Sequence, residues 1–331
     1  MNRNRLCLLF LQIAAVGVLA ATMTPLSAAP QNYPERPVRL IVPSPGGGGG
    51  SDLYARLIAK KLTEMWGQQV IVDNRPGAGM ALGAALASKA PPDGYTLFMG
   101  HPNSLTVGPA LRTKQTYDPV KDFAPITVLM AAPSMFSVYP SSPIVSVAGL
   151  IDEAKKKPGE VSYGTSGLGS VGNMIGELLS EMANIKLLHV PYKGAFPALI
   201  DLSAGRIVFV SSSLASQLPF VRSGKLRAIA TTGAKRTRLT PSVPTVAESG
   251  VPGFDVTAWH GVLAPGKTPP KLVARLNRDI VHILTLRDVQ EVLLVEGGEI
   301  TPTTPEQFST IIRTELQMWK KIVKQTGVTI N

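Results

Sequence analysis

The chain has 331 residues, and its 33 Lys or Arg against 22 Asp or Glu give a formal net charge of +11. A hydrophobic content of 44% with only 17% charged residues excludes a largely disordered chain, and the length suggests two domains. Glycine and proline are abundant but follow no triplet repeat, which excludes a collagen-like fibre, and the single cysteine excludes both a disulfide framework and a thiolate zinc site.

The first residues have the three-part layout of a secretory signal peptide. Arg3 and Arg5 precede an apolar run over 6–21, and small residues end at Ala29. We therefore predict a signal peptide over 1–29 that is cleaved near Ala29, and an exported protein. A membrane anchor is the alternative, but a run of about 16 apolar residues is short for a membrane span.

The excess of basic residues does not indicate a nucleic-acid partner. The densest basic runs, at 155–157 and 235–238, do not alternate with the aromatic residues that stack on bases. Dispersed positive charge is typical of solvated surfaces and mildly favours anionic small ligands.

Short runs rich in Val, Ile, Leu and Phe predict strands, and several lack the polar alternation of a strand with one solvated face. Stretches with helical period lie between them, so we predict an α/β fold with mainly parallel sheets, in which the chain crosses between two domains along strands. In chain order, the predicted strands are 38–42, 70–72, 95–99, 126–129, 135–139, 187–190, 207–210, 226–231 and 256–263.

Capping residues mark several helix ends. Gly205 and Gly224 predict helix ends, and the final helix, over 305–325, is predicted to be the longest. Helix starts are predicted at Thr268 before Pro269, at Asp288 with Glu291, and at Thr304 before Pro305 with Gln307.

Two predicted strand-to-helix turns share one design, in which glycines and hydroxyl residues come just before a helix. The first turn is 44–52 and the second is 165–170. A helix start offers unpaired N–H groups and a partial positive charge, so it attracts anions, and glycine lets a ligand approach those amides. The hydroxyls could add donors for the ligand, or they could only cap the helices. They belong to Ser51, Thr165, Ser166 and Ser170.

Other site motifs are weak or absent. Gly167, Gly169 and Gly172 match a dinucleotide fingerprint, but no Asp or Glu follows at the distance that the ribose requires. The chain has no nucleophile elbow, no phosphate-binding loop and no paired histidines at helical spacing. We predict no metal, no cofactor and no catalytic residue, and an exported enzyme with a triad built from distant residues remains a rival.

Further motifs follow one another over nearly all of the chain after residue 29. They lie at 33–43, 72–79, 92–97, 117–123, 190–194, 232–236, 243–248 and 263–265. In content and order they resemble the substrate-binding proteins of tripartite tricarboxylate transporters, the Bug or TctC-like family.

The resemblance implies a periplasmic, two-lobed binding protein of the type II Venus-flytrap fold. Lobe one would comprise 30–135 and 233–331, and lobe two would comprise 136–232. A monomer would close on a small organic carboxylate and deliver it to TctA/TctB-like membrane subunits. Presentation of the ligand to a membrane sensor kinase is the alternative.

The resemblance also implies that the two turns grip the carboxylate from opposite lobes. Backbone donors are expected from Gly47, Gly48 and Gly169, and a Gly169→Leu change is expected to block binding while leaving the fold stable. The full set of predicted ligand-binding residues is Ser44, Gly46, Gly47, Gly48, Ser51, Asp52, Thr165, Ser166, Gly169, Ser170, Tyr192, Gly194 and Ser213.

Two positions depart from the family pattern. Asn173 stands where the family usually has His, and Ser212-Ser213 replaces a frequent Asp-Asn pair. If Ser212 faces the cleft, an ammonium group on the ligand would lack a counter-charge, which favours simple organic or aromatic acids over amino acids. The alternative is that Ser212 faces away from the ligand.

Overall fold

The computed structural model describes residues 33–47, 50–295 and 297–330. Contacts divide the chain into Met1–Tyr33, of which only Tyr33 is described, and a compact unit, Pro34–Asn331. The predicted signal peptide, 1–29, lies outside the described residues. Within the described ranges, no helix is long and apolar enough to span a bilayer.

The described residues form ten strands and eleven helices, with a short 3-10 helix at Ala78–Met80. The strands are β1 (Val38–Val42), β2 (Val70–Asn74), β3 (Thr96–Gly100), β4 (Phe123–Val138), β5 (Ser162–Thr165), β6 (Leu188–Pro191), β7 (Phe209–Ser213), β8 (Arg227–Thr231), β9 (Thr257–Pro265) and β10 (Glu299–Ile300). The helices are α1 (Gly50–Trp66), α2 (Ala81–Ser88), α3 (Pro102–Leu105), α4 (Val107–Leu111), α5 (Val147–Lys156), α6 (Val171–Ala183), α7 (Ala195–Ser203), α8 (Leu214–Arg222), α9 (Pro270–Leu284), α10 (Arg287–Val295) and α11 (Pro305–Thr326).

The strands join in the order β2-β1-β3-β9-β4-β7-β5-β6, and β8 and β10 also pair with β4. The predicted α/β class is confirmed, but the expectation of mainly parallel sheets is wrong. Among the described strand pairs, the parallel ones join β1 to β2 and β3, and β5 to β6 and β7. All described partners of β4 and β9 are antiparallel, because these strands carry the chain between the two halves of the sheet.

Strand β4 is one strand of 16 residues, where the sequence predicted two separate strands. The predicted gap contains Pro133, which lacks an N–H for a ladder. In the structure Pro133 pairs with Thr257 of β9, and the next residue, Ser134, pairs with Ser213 of β7. The proline therefore lies where β4 exchanges one partner strand for another.

The register of these strands directs both predicted turns toward the middle of β4. Strands β1 and β3 run in the same direction as β4, since β3 and β4 are both antiparallel to β9. Strand β7 runs against β4 and ends at Ser213, opposite Ser134, and β5 is parallel to β7. The carboxyl ends of β1 and β5, which carry the two turns, thus approach the Pro133–Ser134 step from opposite sides.

Several predicted helix ends are confirmed. Thr304 and Gln307 form a reciprocal capping box at the start of α11, which ends at Thr326 and is the longest of the described helices. At α9 the cap is Pro269 rather than Thr268, whose hydroxyl donates to the carbonyl of Pro265.

Helix α11 packs on both halves of the sheet. Its buried Trp319 and Ile322 share a hydrophobic core cluster with Val171 and Met174 of α6, and Phe308 belongs to the cluster beside β1 and β3. The C-terminal helix therefore joins the two halves on one face of the sheet.

Candidate functional site

The first turn (44–52) is organised around the buried carboxylate of Asp52. Its Oδ2 accepts hydrogen bonds from Gly47 N (2.8 Å) and Arg56 Nε (2.9 Å), and its Oδ1 accepts one from Asn74 Nδ2 (2.7 Å). The Arg56 hydrogen bond is the largest cause that lowers the pKa of Asp52 to about 2. Asp52 therefore holds the turn in shape, and the predicted backbone donor Gly47 is already occupied. The other predicted donor of this turn, Gly48, lies outside the described residues.

We expect Asp52→Asn to destabilise the fold by about 2 kcal/mol, because an amide at this buried position cannot accept all three hydrogen bonds and loses the charge that pairs with Arg56. Urea unfolding measures this loss. The matched control is Asp93→Asn, which removes an exposed ion pair with Arg36 and should cost less than about 1 kcal/mol. Equal losses in the two variants would contradict the assigned role of Asp52.

Two predicted hydroxyls of the first turn are buried. Ser44 is 5% exposed, and its Oγ has no hydrogen-bond partner among the described residues. Ser51 Oγ lies 2.9 Å from Nε2 of His260, whose ring is packed between Tyr54 (4.8 Å between ring centroids) and His101 (4.9 Å). Ser44 is thus an available donor, whereas Ser51 ties α1 to β9.

The pair His101 and His260 was not anticipated, because the two residues are far apart in sequence and neither follows a metal-ligand spacing. Only their positions relative to the strands could have indicated the contact. His101 comes directly after β3, and His260 lies on β9, the strand that pairs with β3. In the described ranges, no group of three or more His, Cys, Asp or Glu side chains could hold a metal ion. Burial lowers the pKa of His101 to about 4 and is the main cause that holds the pKa of His260 well below its usual value, so both rings are neutral at pH 7.

His101 should make stability depend on pH. Between its ordinary pKa of about 6.5 and its folded value of about 4, the unfolded chain binds a proton that the folded chain does not. The free energy of unfolding should therefore fall as the pH drops, by roughly 2 kcal/mol from this residue between pH 7 and pH 5. In His101→Asn, which keeps an acceptor for Asn103 N, urea unfolding should show a smaller decrease. An unchanged decrease would contradict the prediction.

The second turn (165–170) uses its hydroxyls mainly to cap α6 and to fix its own shape. Ser170 accepts a hydrogen bond from Asn173 N (3.2 Å) and donates to Gly167 O (2.8 Å). Thr165 Oγ1 accepts from Gly167 N (3.2 Å) and lies 2.7 Å from His189 Nε2. The capping alternative thus describes Ser170, whereas the Thr165 hydroxyl bonds within the turn, and Ser166 is exposed.

Asn173 lies beneath the second turn and is 1% exposed. Its Oδ1 accepts from Gly169 N (3.0 Å), and its Nδ2 donates to Tyr163 OH (3.1 Å) and Glu177 Oε1 (3.3 Å). The predicted donor Gly169 N is therefore engaged inside the turn. The side chain of Asn173 therefore fixes the shape of the second turn through this hydrogen bond.

Gly169 itself cannot carry the test that the sequence suggested. Its φ is +73°, and an added Cβ would lie 3.3 Å from the Cδ1 atoms of both Leu111 and Ile330. The expectation that Gly169→Leu leaves the fold stable is wrong, since the side chain would be strained and would press on both neighbours.

The remaining predicted residues are also engaged in local structure. Tyr192 OH donates to Asp201 Oδ2 (2.8 Å), and burial is the main cause that raises the Tyr192 pKa to about 12. Gly194, at φ +110°, precedes α7 and donates to Ser166 O (3.2 Å). Exposed Ser213 caps α8.

Ser212 is 6% exposed, and its Oγ bonds Gln217 Nε2 and Ser216 Oγ, both at 3.1 Å. Its hydroxyl is enclosed within the β7–α8 connection. The alternative that Ser212 faces away from the ligand therefore fits the structure, and the choice of ligand must be argued from other residues.

The sequence patterns did not indicate Arg112 as a site residue, because it is an isolated basic residue outside the motifs. Its Nη2 donates to the carbonyl of Ala78, and its buried Nη1 has no partner among the described residues. It also forms no ion pair with any described acid. Ala78 and Met80 have positive φ (46° and 75°), a conformation that costs free energy for residues other than glycine.

Arg112 lies between parts of the chain that border the two turns. The loop that it contacts leads into α2, where an added Cβ on Gly83 would lie 3.0 Å from Pro43, next to the first turn. Its neighbour Leu111 contacts Gly169 of the second turn. Arg112, which has no acid partner among the described residues, thus contacts a loop that leads into α2 near the first turn, and the residue before it borders the second turn.

Comparisons with known proteins identify the family of the chain. The model of the tripartite tricarboxylate transporter family receptor (TctC) matches residues 54–328. Protein BugT of Bordetella pertussis is 35% identical over 331 residues, covering 99% of each chain.

Two solved structures from Rhodopseudomonas palustris have a similar fold. Rpa4515 with adipate has a TM-score of 0.78 and 36% identity, over 90% of this chain and 99% of its own. MatC (Rpa3494) with bound malate has a TM-score of 0.75 and 31% identity, over 88% of this chain and all of its own. Family and fold are those of solute-binding proteins rather than of enzymes, and the chain belongs to the TctC family of periplasmic solute-binding proteins.

Proposed function

We propose that this protein binds a small organic dicarboxylate between two lobes and delivers it to the TctA/TctB-like membrane subunits of a tripartite tricarboxylate-type transporter. The observation that carries the proposal is the strand register, which directs the helix starts of α1 and α6 toward the same step of β4. Two helix starts that converge on one region attract one anionic guest.

One carboxylate of the ligand would be held at the helix starts. Ser44 supplies a buried hydroxyl that no described group satisfies, and Ser166 lies exposed on the second turn. Asp52, Ser170 and Asn173 act indirectly, because their hydrogen bonds fix the shape of the turns.

Arg112 favours a ligand with a second carboxylate. A guanidinium pairs strongly with a carboxylate, and the buried Nη1 of Arg112 has no hydrogen-bond partner among the described residues. Adipate and malate, which accompany the two related structures, are both dicarboxylates. We assign the ligand class on this basis.

Closure would follow from contacts on both sides of the ligand. We propose lobe one as 30–135 with 233–331 and lobe two as 136–232. A ligand that touches both lobes stabilises the closed arrangement, in which all of its contacts are made. The closed form is then the species that the membrane subunits recognise.

Calorimetry and thermal unfolding with matched ligands test the binding step. Adipate and malate should bind, and a ligand at 100 times its Kd should add about 2.7 kcal/mol to the free energy of unfolding. Hexanoate, with the carbon skeleton of adipate and one carboxylate, should bind more weakly, and 1,6-diaminohexane should not displace adipate. Displacement of adipate by the diamine, or a failure of all acids to bind, would overturn the proposal.

Delivery is tested separately with vesicles that contain TctA/TctB-like subunits. Uptake of labelled adipate should require this protein, and the ligand-loaded form should be retained on the vesicles better than the ligand-free form. Uptake that does not depend on the protein would refute delivery while leaving the binding result intact.

A further inference from the structure

A cavity of about 330 Å³ lies beside α11, and its chemistry differs from that of the two turns. Its walls are mainly apolar and include Val107 of α4, Val171 of α6, and Ile311 and Met318 of α11. None of its described lining residues belongs to the first turn or the second turn. An apolar cavity with a few polar groups is the usual form of a small-molecule site.

The titratable groups that line this cavity are both acids. They are Glu315 of α11 and Asp255, which precedes β9, and no Lys, Arg or His is among the described lining residues. This is notable in a chain in which basic residues outnumber acidic ones. Negative charge without a nearby cation repels anionic guests and attracts cationic ones.

Glu315 is held in a fixed position at the cavity wall. Its Oε1 accepts from Trp259 Nε1 (2.9 Å), and its Oε2 accepts from Thr106 Oγ1 (3.0 Å). Each oxygen keeps further acceptor capacity, because a carboxylate oxygen has two lone pairs. The carboxylate can therefore receive a hydrogen bond from a guest without losing its present partners.

Trp319 provides a second, independent indication of a ligand. It lines the cavity and is 2% exposed, and its Nε1–H finds no acceptor among the described residues. A buried donor without a partner is unfavourable, and a native structure rarely retains one. A guest with an oxygen acceptor would satisfy it.

We propose that this cavity is a second binding site that takes a small organic cation, namely an amine with an apolar body and an oxygen acceptor. The ammonium group binds Glu315 and is further attracted by Asp255. The apolar body packs on Val107, Val171 and Met318, and the oxygen accepts from Trp319 Nε1. This site recognises the opposite charge from the dicarboxylate site.

The test uses 4-methoxybenzylamine, with two analogues that change only the charged group. Calorimetry at pH 8 should show saturable binding of the amine to one site. 4-Methoxybenzyl alcohol should bind at least about tenfold more weakly than the amine, since it lacks the charge-assisted hydrogen bond. 4-Methoxybenzoate should not bind in this cavity. Equal affinity for the amine and the alcohol would overturn the proposal.

Glu315→Gln should weaken binding of the amine by about tenfold or more, because the amide carries no charge. In the wild type the affinity should fall from pH 8 to pH 6, since burial raises the pKa of Glu315 to about 7 while the ammonium group stays protonated. Glu315→Gln should remove most of this pH dependence. An unchanged affinity in the variant would refute the role of Glu315.

Two variants on exposed positions of α11 test the location without disturbing the core. Thr314 lines the cavity, so Thr314→Phe should narrow it and weaken binding of the amine. Gln317 does not line it, so Gln317→Phe should have no effect. Equal effects of the two changes would place the amine elsewhere.

Adipate binding is measured on the same samples. It should be unchanged in Glu315→Gln and Thr314→Phe. If adipate fails to bind the wild type while the amine binds, the proposed function fails and the second site stands.

Discussion

Arg112→Gln is expected to weaken adipate binding by roughly 30-fold, which corresponds to the loss of about 2 kcal/mol from a charge-assisted hydrogen bond. Binding of hexanoate should change little, because that ligand has no second carboxylate to meet Arg112. Calorimetry with adipate and with hexanoate gives, for each ligand, the ratio of the Kd of the variant to that of the wild type. Because adipate and hexanoate differ only in the second carboxylate, the difference between the two ratios reports on the contact of Arg112 with that group.

Two controls separate ligand contact from support of the neighbouring loop. Lys114→Gln removes an exposed positive charge two residues away and should leave both affinities unchanged. Arg112→Lys keeps the charge but loses the planar fork, so it should restore only part of the adipate affinity. If Arg112→Gln weakened adipate and hexanoate equally, Arg112 would act through its hydrogen bond to Ala78.

Gly172→Ala should strongly destabilise the fold. Gly172 lies in the first turn of α6, and an added Cβ would lie 2.2 Å from the carbonyl oxygen of Ser211 on β7. Since real Cβ atoms do not approach backbone so closely, the start of α6 must move away from the sheet. We expect a loss of about 2 kcal/mol in the free energy of unfolding, together with weaker adipate binding, because the second turn moves with the helix.

Gly149→Ala is the matched control, because Gly149 also lies in the first turn of a helix, α5. An added Cβ there would meet only Ser146 Oγ, at 3.6 Å. Alanine favours a helix over glycine, so this change should stabilise the protein by up to about 1 kcal/mol. Urea unfolding of both variants gives the comparison, and similar stabilisation by both would show that Gly172 does not set the distance between α6 and β7.

Local chemistry allowed several elements to be predicted from the sequence. The capping box of Thr304 and Gln307 is formed by residues three apart, so its signal survives in any fold that contains the helix. The two helix-opening turns were also predictable, because glycine and hydroxyl residues at strand ends have local reasons for being there.

Long-range pairing limited the rest of the fold prediction. The hydrophobic runs predicted two strands where β4 is continuous, and the predicted gap contains Pro133, which cannot complete a ladder by itself. Its place at the exchange from β9 to β7 depends on partners more than 70 residues away in sequence, at Ser213 and Thr257. No local pattern contains that information.

The same limit applies to the site. The hydroxyls of Thr165 and Ser170 could not be assigned to capping or to ligand binding until their partners were known. Arg112 carries no motif, and its importance follows from what it lacks, namely an acid partner among the described residues. Such an absence is visible only when the neighbours are in place.

Because β4 is one continuous strand, it determines how the protein unfolds. Its backbone amides serve ladders in both halves of the sheet, so melting either half releases bonds that hold the other. Heat or urea should therefore produce one transition rather than two, and amide hydrogen exchange should be slowest along this strand. Closure around a ligand would then require only that β4 and its neighbouring strand β9 bend, and neither half of the sheet would unfold without the other.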